Sequence, residues 1–211
     1  MERLTLFTFG DSVLDSGVYN EHGLDAGQLL VRNDDRLFPE FAGRDLSRRW
    51  DARIDHRARD GAVSSDLHAQ LPEVLEGRAA ALLSIGGNDL LAFVLGIDRN
   101  ALAVFERNVR AFLEALTVRP VLVANVYDPS FGDDRMSFLP GVAPGPLRKR
   151  HATVNDLLGR LGDECGGRVD LHAHFLTGDQ SWFTRTIEPS LRGASEVRRC
   201  FLAALDRIGV A

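Results

Sequence analysis

Apolar residues in this chain form short continuous runs separated by longer amphipathic stretches. The runs predict β-strands at 4–9, 52–58, 79–85, 120–126 and 168–171. The third and fourth runs are apolar at nearly every position, which is typical of strands buried on both faces of a parallel sheet. These two strands are therefore expected near the centre of the sheet.

The stretches between the runs predict helices. Residues 100–116 place apolar side chains at helical spacing on one side and charged side chains on the other, and 146–161 and 194–208 follow the same pattern. Residues 19–50 predict a helix plus an irregular connection, and the Pro- and Gly-rich tract 140–146 is expected to cap a helix entry. This alternation predicts a single α/β domain over 1–211, a three-layer α/β/α sandwich around a five-stranded parallel sheet.

Composition excludes several classes of function. The chain has 211 residues, is 45% hydrophobic and carries a net charge of −5, which disfavours nucleic acid as a partner. The basic run Arg148–His151 is interpreted as the solvated face of a helix. No apolar stretch approaches the roughly 20 residues that span a bilayer, and the chain starts without a signal-like leader, so a cytoplasmic protein without a membrane partner is expected. Cys165 and Cys200 are expected to be buried free thiols.

Candidate chemistry lies where the predicted strands end. Ser12 follows the first strand, Gly61 the second and Asn88 the third, and ligands bind beyond the carboxyl ends of strands in open parallel sheets. Taken singly, each residue has a plain structural interpretation. Ser12 and Asn88 suit helix caps, and Gly61 suits a turn with positive φ. Together they suggest a nucleophile beside an oxyanion hole.

The segments Gly10–Gly17, Asp60–Ala62 and Gly86–Asp89, in this order, resemble the nucleophile, glycine and asparagine blocks of the SGNH or GDSL hydrolase family. The resemblance covers nearly the whole chain. It implies a flavodoxin-like architecture with strand order 2-1-3-4-5, and ester hydrolysis through an acyl-serine intermediate. It also implies a small-molecule ester substrate and no cofactor or metal.

The resemblance also implies a role for each matching residue. Ser12 would be the nucleophile, and its backbone N–H, that of Gly61 and the side-chain amide of Asn88 would stabilise the oxyanion. Asp11 would orient the serine turn, with N-capping as the alternative.

The chain departs from the family near its end, where an Asp-x-x-His block is expected. Glu188 stands at the position of the base histidine and Arg185 at that of its aspartate. One hypothesis makes Glu188 the general base, with a pKa raised by an apolar wall that includes Trp182. Because a paired Arg185 would lower that pKa, this hypothesis predicts that Arg185 points to solvent or to substrate.

Two other hypotheses remain open at this point. His172 or His174, at the end of the fifth predicted strand, would serve as the base; if the strand continues, both lie on one face, which also allows a weak His-x-His metal site. Alternatively, the chain keeps the pocket without catalysis and acts as a binding or regulatory module. A nucleotide-binding protein is disfavoured because neither of the usual phosphate-binding glycine motifs is present.

Overall fold

The computed structural model describes residues 1–73, 77–94, 101–135 and 143–211 of the chain. The strands of its central sheet are Arg3–Gly10 (β1), Asp51–His56 (β2), Arg78–Ser84 (β3), Val121–Ala124 (β4) and Gly166–Val169 (β5). All neighbouring pairs are parallel, and the strand order is β2-β1-β3-β4-β5. The sheet and its strand order confirm the sequence-based prediction.

The described α-helices include the three predicted from amphipathic spacing. They are Ala26–Val31 (α1), Gly87–Val94 (α2), Ala101–Ala115 (α3), Pro144–Cys165 (α4), Leu171–Phe175 (α5) and Leu191–Arg207 (α6). The part of the predicted capping tract at 140–142 and the predicted helix start at 100 lie outside the described residues. Residues 19–50 contain α1 and short 3-10 helices, in agreement with the predicted helix plus irregular connection. None of the helices in the described ranges is long and apolar enough to cross a membrane.

Alternating residues of the sheet build two separate cores. Leu4 and Leu6 of β1 face α1 and α6, whereas Phe7 and Phe9 face α3 and α4. β3 and β4 alternate in the same way, so both faces of these strands are buried, as their nearly continuous apolar runs predict. The result is a three-layer sandwich in which the carboxyl ends of the strands open toward one edge.

A small hairpin lies before the last helix. Its strands are Phe183–Thr184 (β6) and Glu188–Pro189 (β7), and Thr184 pairs with Glu188. The hairpin turn strains the backbone, because Arg185 and Thr186 have φ values of 45° and 80°. A positive φ is rare for a β-branched residue such as Thr186.

Two local predictions were wrong, and both errors have a physical cause. The fifth strand ends at Val169 rather than at 171, because the Asp170 side chain accepts a hydrogen bond from the Ala173 N–H (2.9 Å) and caps α5. The basic run at 148–151 is not a solvated face. Arg148 donates to Asp128 (2.6 Å) and Arg150 donates to the Phe93 carbonyl oxygen (2.7 Å).

The two cysteines were predicted to be buried free thiols. Cys165 and Cys200 are both free, and each is partly buried rather than fully buried.

Candidate active site

The turn that carries Ser12 is fixed at its first residue. Gly10 ends β1 with φ +118°, and a Cβ at this position would overlap the carbonyl oxygen of Ser84 on β3. The Gln70 side chain accepts from the Gly10 N–H (2.7 Å) and donates to the Gly10 carbonyl (2.9 Å). The Asp11 N–H donates to the Ser84 carbonyl oxygen (3.0 Å). Ser12 is therefore held at the carboxyl end of the sheet.

Glu188 reaches Ser12 from the opposite end of the chain. The β6–β7 hairpin places it in the lining of the pocket that also contains Ser12, where its carboxyl group interacts with the Ser12 hydroxyl. The Tyr127 hydroxyl donates to the Ile187 carbonyl oxygen (2.7 Å) and so fixes the backbone next to Glu188. The structure thus brings Ser12 and Glu188, the predicted nucleophile and one of the predicted bases, to the same pocket.

Partial burial changes the ionisation of Glu188. Desolvation raises the pKa of this carboxyl group and outweighs the opposing effect of the nearby Ser12 hydroxyl. The negative charge of Asp60 raises the pKa further, and the positive charge of Arg185 lowers it. A carboxylate with a raised pKa accepts a proton more readily, as a general base requires.

The two segments predicted to form the oxyanion hole contact each other. Asn88 lies in the first turn of α2, lines the same pocket as Ser12, and donates through Nδ2 to the Ala62 carbonyl oxygen (2.9 Å). This bond orients the side-chain amide and leaves one of its two N–H donors for another acceptor. Gly61, next to Ala62, has φ +77° and is exposed, and a Cβ there would meet no atom within 4 Å.

A second carboxyl group lies beside the nucleophile. Asp11 is 2% exposed, and its side chain accepts from the Val13 N–H (3.2 Å). Burial raises the pKa of Asp11 to about 7; the backbone hydrogen bond from Val13 opposes this, and the negative charges of Glu188 and Asp89 add to it. Asp11 therefore changes charge near neutral pH, a property that its sequence position did not indicate.

The pocket around Ser12 combines an apolar wall with a charged group of residues. Its apolar residues include Val13, Leu90, Leu91, Val126, Leu147 and Ile187. Its charged group is centred on Arg148, which hydrogen-bonds to Asp128 and Asp134 and lies near Ser130. Sequence analysis missed this group because α4 brings Arg148 into the pocket only through tertiary packing.

The structure does not bring the two alternative bases to Ser12. His174 lies 2.8 Å from Glu196 and stacks on Trp182, and His172 packs against His151. Because both histidines belong to α5 rather than to a continued strand, they contact different neighbours. Within the described ranges no three potential metal-ligating side chains cluster.

Other candidate residues also have defined places. Trp182 is buried beneath the hairpin, where it packs on Phe175, and is not part of the pocket lining. Arg185 is exposed, and its guanidinium lies 4.9 Å from the centre of the Tyr19 ring. The described residues include no ion pair between Arg185 and Glu188.

One histidine that sequence analysis did not single out does line the pocket. His151 of α4 contacts the Val126 carbonyl oxygen through Nε2 (2.8 Å). Burial lowers the pKa of His151, and the neighbouring His172 lowers it further, so the ring is neutral at neutral pH. The only sequence signal was its place in the basic run.

Several solved structures share this fold. A lipase, Lip_vut3 from a goat rumen metagenome, is 19% identical with a TM-score of 0.69, over 95% of this chain and 97% of the other. The acetylxylan esterase Axe2 from Geobacillus stearothermophilus is 18% identical with a TM-score of 0.64, over 97% and 94%. A lipolytic G-D-S-L family protein from Veillonella parvula is 17% identical with a TM-score of 0.65, over 97% and 99%.

Sequence comparison adds the family. No curated protein matches this chain. Residues 8–194 match the GDSL-like lipase/acylhydrolase family, and this range contains Ser12, Gly61, Asn88 and Glu188. The chain therefore belongs to the GDSL-like lipase/acylhydrolase family and is a hydrolase of the esterase type.

Proposed function

We propose that this protein hydrolyses carboxylic esters through an acyl-serine intermediate, with Ser12 as the nucleophile and Glu188 as the general base. The observation that carries the proposal is the position of the Glu188 carboxyl group, which lines the same pocket as Ser12 and interacts with its hydroxyl group. A nucleophile in contact with a group able to take its proton is the essential element of covalent acyl transfer.

In the first half of the reaction, the Ser12 Oγ attacks the carbonyl carbon of the ester while its proton passes to Glu188. The carbonyl oxygen becomes an oxyanion, which accepts hydrogen bonds from the Ser12 and Gly61 N–H groups and the free N–H of Asn88. Collapse of this intermediate breaks the bond to the alcohol oxygen, and Glu188 returns the proton to the departing alcohol. The acyl group remains on Ser12.

In the second half, Glu188 takes a proton from water as the water oxygen attacks the acyl carbonyl. The same oxyanion donors act again, and the proton returns to Ser12 Oγ as the carboxylic acid leaves. A carboxylate has no tautomer to select, so Glu188 requires no aspartate partner of the kind that orients a catalytic histidine. The proposed mechanism therefore needs no aspartate at the position of Arg185.

The pocket favours neutral esters of modest size. Apolar side chains beside Ser12 suit a short acyl group, and the charged residues around Arg148 suit a polar alcohol. The names of two structural neighbours, a lipase and an acetylxylan esterase, are compatible with this substrate class. We propose short-chain esters of polar alcohols as the first substrates to assay.

The test is hydrolysis of short-chain nitrophenyl esters as a function of pH. Ser12→Ala and Glu188→Gln are expected to lose activity, whereas the exposed controls Ser65→Ala and Glu114→Gln retain it. His174→Ala is expected to keep the wild-type kcat, because the ring contacts Glu196 rather than Ser12.

The outcomes of this assay separate the hypotheses. Ser12-dependent turnover that survives Glu188→Gln would contradict the role of Glu188. No Ser12-dependent turnover with any short ester would favour a binding or regulatory module. Labelling of Ser12 by a fluorophosphonate, located by peptide mass, reports the reactivity of the serine independently of the choice of ester.

A further inference from the structure

Tyr19 touches the segments on both sides of the Ser12–Glu188 pair. Its hydroxyl donates to Asp60 Oδ1 (2.5 Å), directly before Gly61, and its ring carries the guanidinium of Arg185 at 4.9 Å. Burial and the hydrogen bond to Asp60 raise the pKa of Tyr19 well above its usual value, so the hydroxyl stays protonated and donates.

The loop on the Asp60 side is fixed independently. The Asp60 N–H donates to Asp15 Oδ2 (2.8 Å), and Asp15 Oδ1 lies 3.2 Å from His56 Nε2. Tyr19 therefore contacts a defined carboxylate rather than a freely moving one. This hydrogen bond is one of the contacts of the residue whose ring lies under Arg185.

The hairpin turn fixes the backbone of Arg185, and the guanidinium lies on the Tyr19 ring rather than on Glu188. The φ of 45° at Arg185 and the 80° of Thr186 place two consecutive residues in left-handed conformations, and the Tyr127 hydroxyl holds the Ile187 carbonyl oxygen from the other side. Arg185 lies only three residues before Glu188, yet its guanidinium stacks on an aromatic ring. Strain of this kind persists where surrounding contacts maintain it.

Several charged or titratable groups surround Glu188. Asp11 approaches it from the serine turn, Asp60 from the loop after β2, Tyr127 from the loop after β4, and Tyr19 from the 3-10 helix Ser16–Tyr19. Arg185 of the hairpin is the cation that acts on its charge. The position of Arg185 is therefore the contact most able to weaken this carboxylate as a base.

We propose that Tyr19 is a positioning residue, whose ring keeps Arg185 from forming an ion pair with Glu188. This inference rests on the proposed role of Glu188 as the general base. Without the ring, the guanidinium of Arg185 is free to move. Glu188 lies three residues further along the chain and forms no ion pair within the described residues. Arg185 then pairs with Glu188 and makes it a poorer proton acceptor.

The alternative is that the contact between Arg185 and the Tyr19 ring has no effect on the ionisation of Glu188. A double-variant cycle separates this alternative from the proposal. The titration of Glu188 is followed by carbon-13 NMR of labelled glutamate carboxyls, with Glu188→Gln assigning the signal. Tyr19→Ala is expected to lower the pKa of Glu188 by about one unit, and Tyr19→Phe, which keeps the ring, changes it much less. In an Arg185→Gln background, Tyr19→Ala is expected to have no effect.

The same variants are compared in the pH–rate profile. The acid limb of Tyr19→Ala should move to lower pH and its plateau should fall, and Arg185→Gln should restore both. The inference would be overturned if Tyr19→Ala shifted the acid limb equally in the wild type and in the Arg185→Gln background. It would also be overturned if Tyr19→Ala caused no shift in either background. Tyr19→Leu replaces Tyr19→Ala if the latter does not fold.

The NMR measurement needs no turnover, which keeps the two proposals distinguishable. If Glu188→Gln keeps full activity, the proposed function fails, and the titration still shows whether Tyr19 controls the ionisation of Glu188. If Glu188→Gln is inactive but Tyr19→Ala leaves the titration unchanged, only the inference on Tyr19 fails.

Discussion

Ser12 and Glu188 line the same pocket, and the carboxyl group of Glu188 interacts with the Ser12 hydroxyl, although the two residues come from opposite ends of the chain. Ser12 follows the carboxyl end of β1, and Glu188 lies in a strained hairpin before α6. A glutamate in this place has a different pH range of action from a histidine, because a carboxyl group and an imidazole differ by about two units in their ordinary pKa. This difference makes the identity of the base measurable.

Glu188→His is expected to move the acid limb of the pH–rate profile. In the wild type that limb should follow a carboxyl group, whereas in the variant it should follow an imidazole with a pKa near 6.5. Some activity should remain, because an imidazole at this position also accepts a proton. Stopped assays with a nitrophenyl ester across pH 4–9 give the profile, and Glu114→His on α3 is the control. If the acid limb of Glu188→His coincides with that of the wild type, a group other than residue 188 limits the rate.

Asn88→Ala is expected to lower kcat by about 10²–10³-fold with little change in KM, because its amide donates mainly to the developing oxyanion. The matched control is Asn125→Ala. Asn125 bonds Asp170 and the N–H of His172 and is not part of the pocket lining, so its loss should reduce stability but not kcat. Steady-state kinetics and urea unfolding of both variants provide the comparison. Parallel loss of kcat in both would indicate a general effect on folding.

Gln70→Ala is expected to destabilise the fold by about 1–3 kcal/mol, because it leaves the buried N–H of Gly10 without a partner. The Gly10 carbonyl oxygen still accepts a hydrogen bond from the Arg59 N–H (3.0 Å), so only the Gly10 N–H loses its partner. Urea unfolding against Gln180→Ala, an exposed glutamine, measures the difference. A change as small as that of the control would mean that water replaces the Gln70 side chain.

The sheet and the three main helices were predictable because their signals are local. Buried strands appear as apolar runs and amphipathic helices as periodic ones, and the blocks around Ser12, Gly61 and Asn88 lie where those strands end. The pairing of Ser12 with Glu188 was available only as one hypothesis among three, because proximity across the chain has no local signal.

One error came from a residue whose role depends on a distant contact, and the other from a local capping signal that competed with the strand pattern. Arg148 carries the same basic pattern as a solvated helix face, and only the position of Asp128 draws it into the pocket. His172 and His174 fit a continued strand by spacing, but the capping side chain of Asp170 starts α5 instead. The cap was visible in the sequence as an aspartate three residues before Ala173, and in this case it was the stronger signal.

Asp11→Asn is expected to change how stability depends on pH. The pKa of Asp11 is raised to about 7 in the folded protein from a usual 3.8, so its contribution to stability is full below pH 3.8 and is lost as pH rises through about 7. The free energy of unfolding of the variant should therefore rise relative to that of the wild type between pH 4 and pH 8, by roughly 4 kcal/mol at most. Urea unfolding of both proteins at several pH values measures this gain. A constant difference across the range would show that Asp11 ionises normally.

The charges of the pocket predict selection against anionic esters. Asp11, Asp128, Asp133, Asp134 and Glu188 line it with Arg148 as the counter-charge. Burial raises the pKa of Asp128, but the hydrogen bonds that it accepts from Ser130 and Arg148 outweigh burial and keep the pKa below its usual value. Residues 136–142 carry no charged side chain in the sequence and do not alter this balance. A nitrophenyl ester of a short acyl chain that ends in a carboxylate should show a kcat/KM about tenfold lower than its neutral analogue of equal length.

Added salt distinguishes electrostatic selection from poor fit, because ions screen interactions between exposed charges. The kcat/KM for the neutral ester divided by that for the anionic ester should fall toward one as ionic strength rises from about 0.01 to about 0.5 M. Asp134→Asn, which removes one exposed carboxylate, should reduce the ratio at low salt, whereas Asp51→Asn on β2 should leave it unchanged, because Asp51 is not part of the pocket lining. A ratio that persists at high salt would assign the discrimination to the shape of the pocket, and faster hydrolysis of the anionic ester would contradict the charge argument.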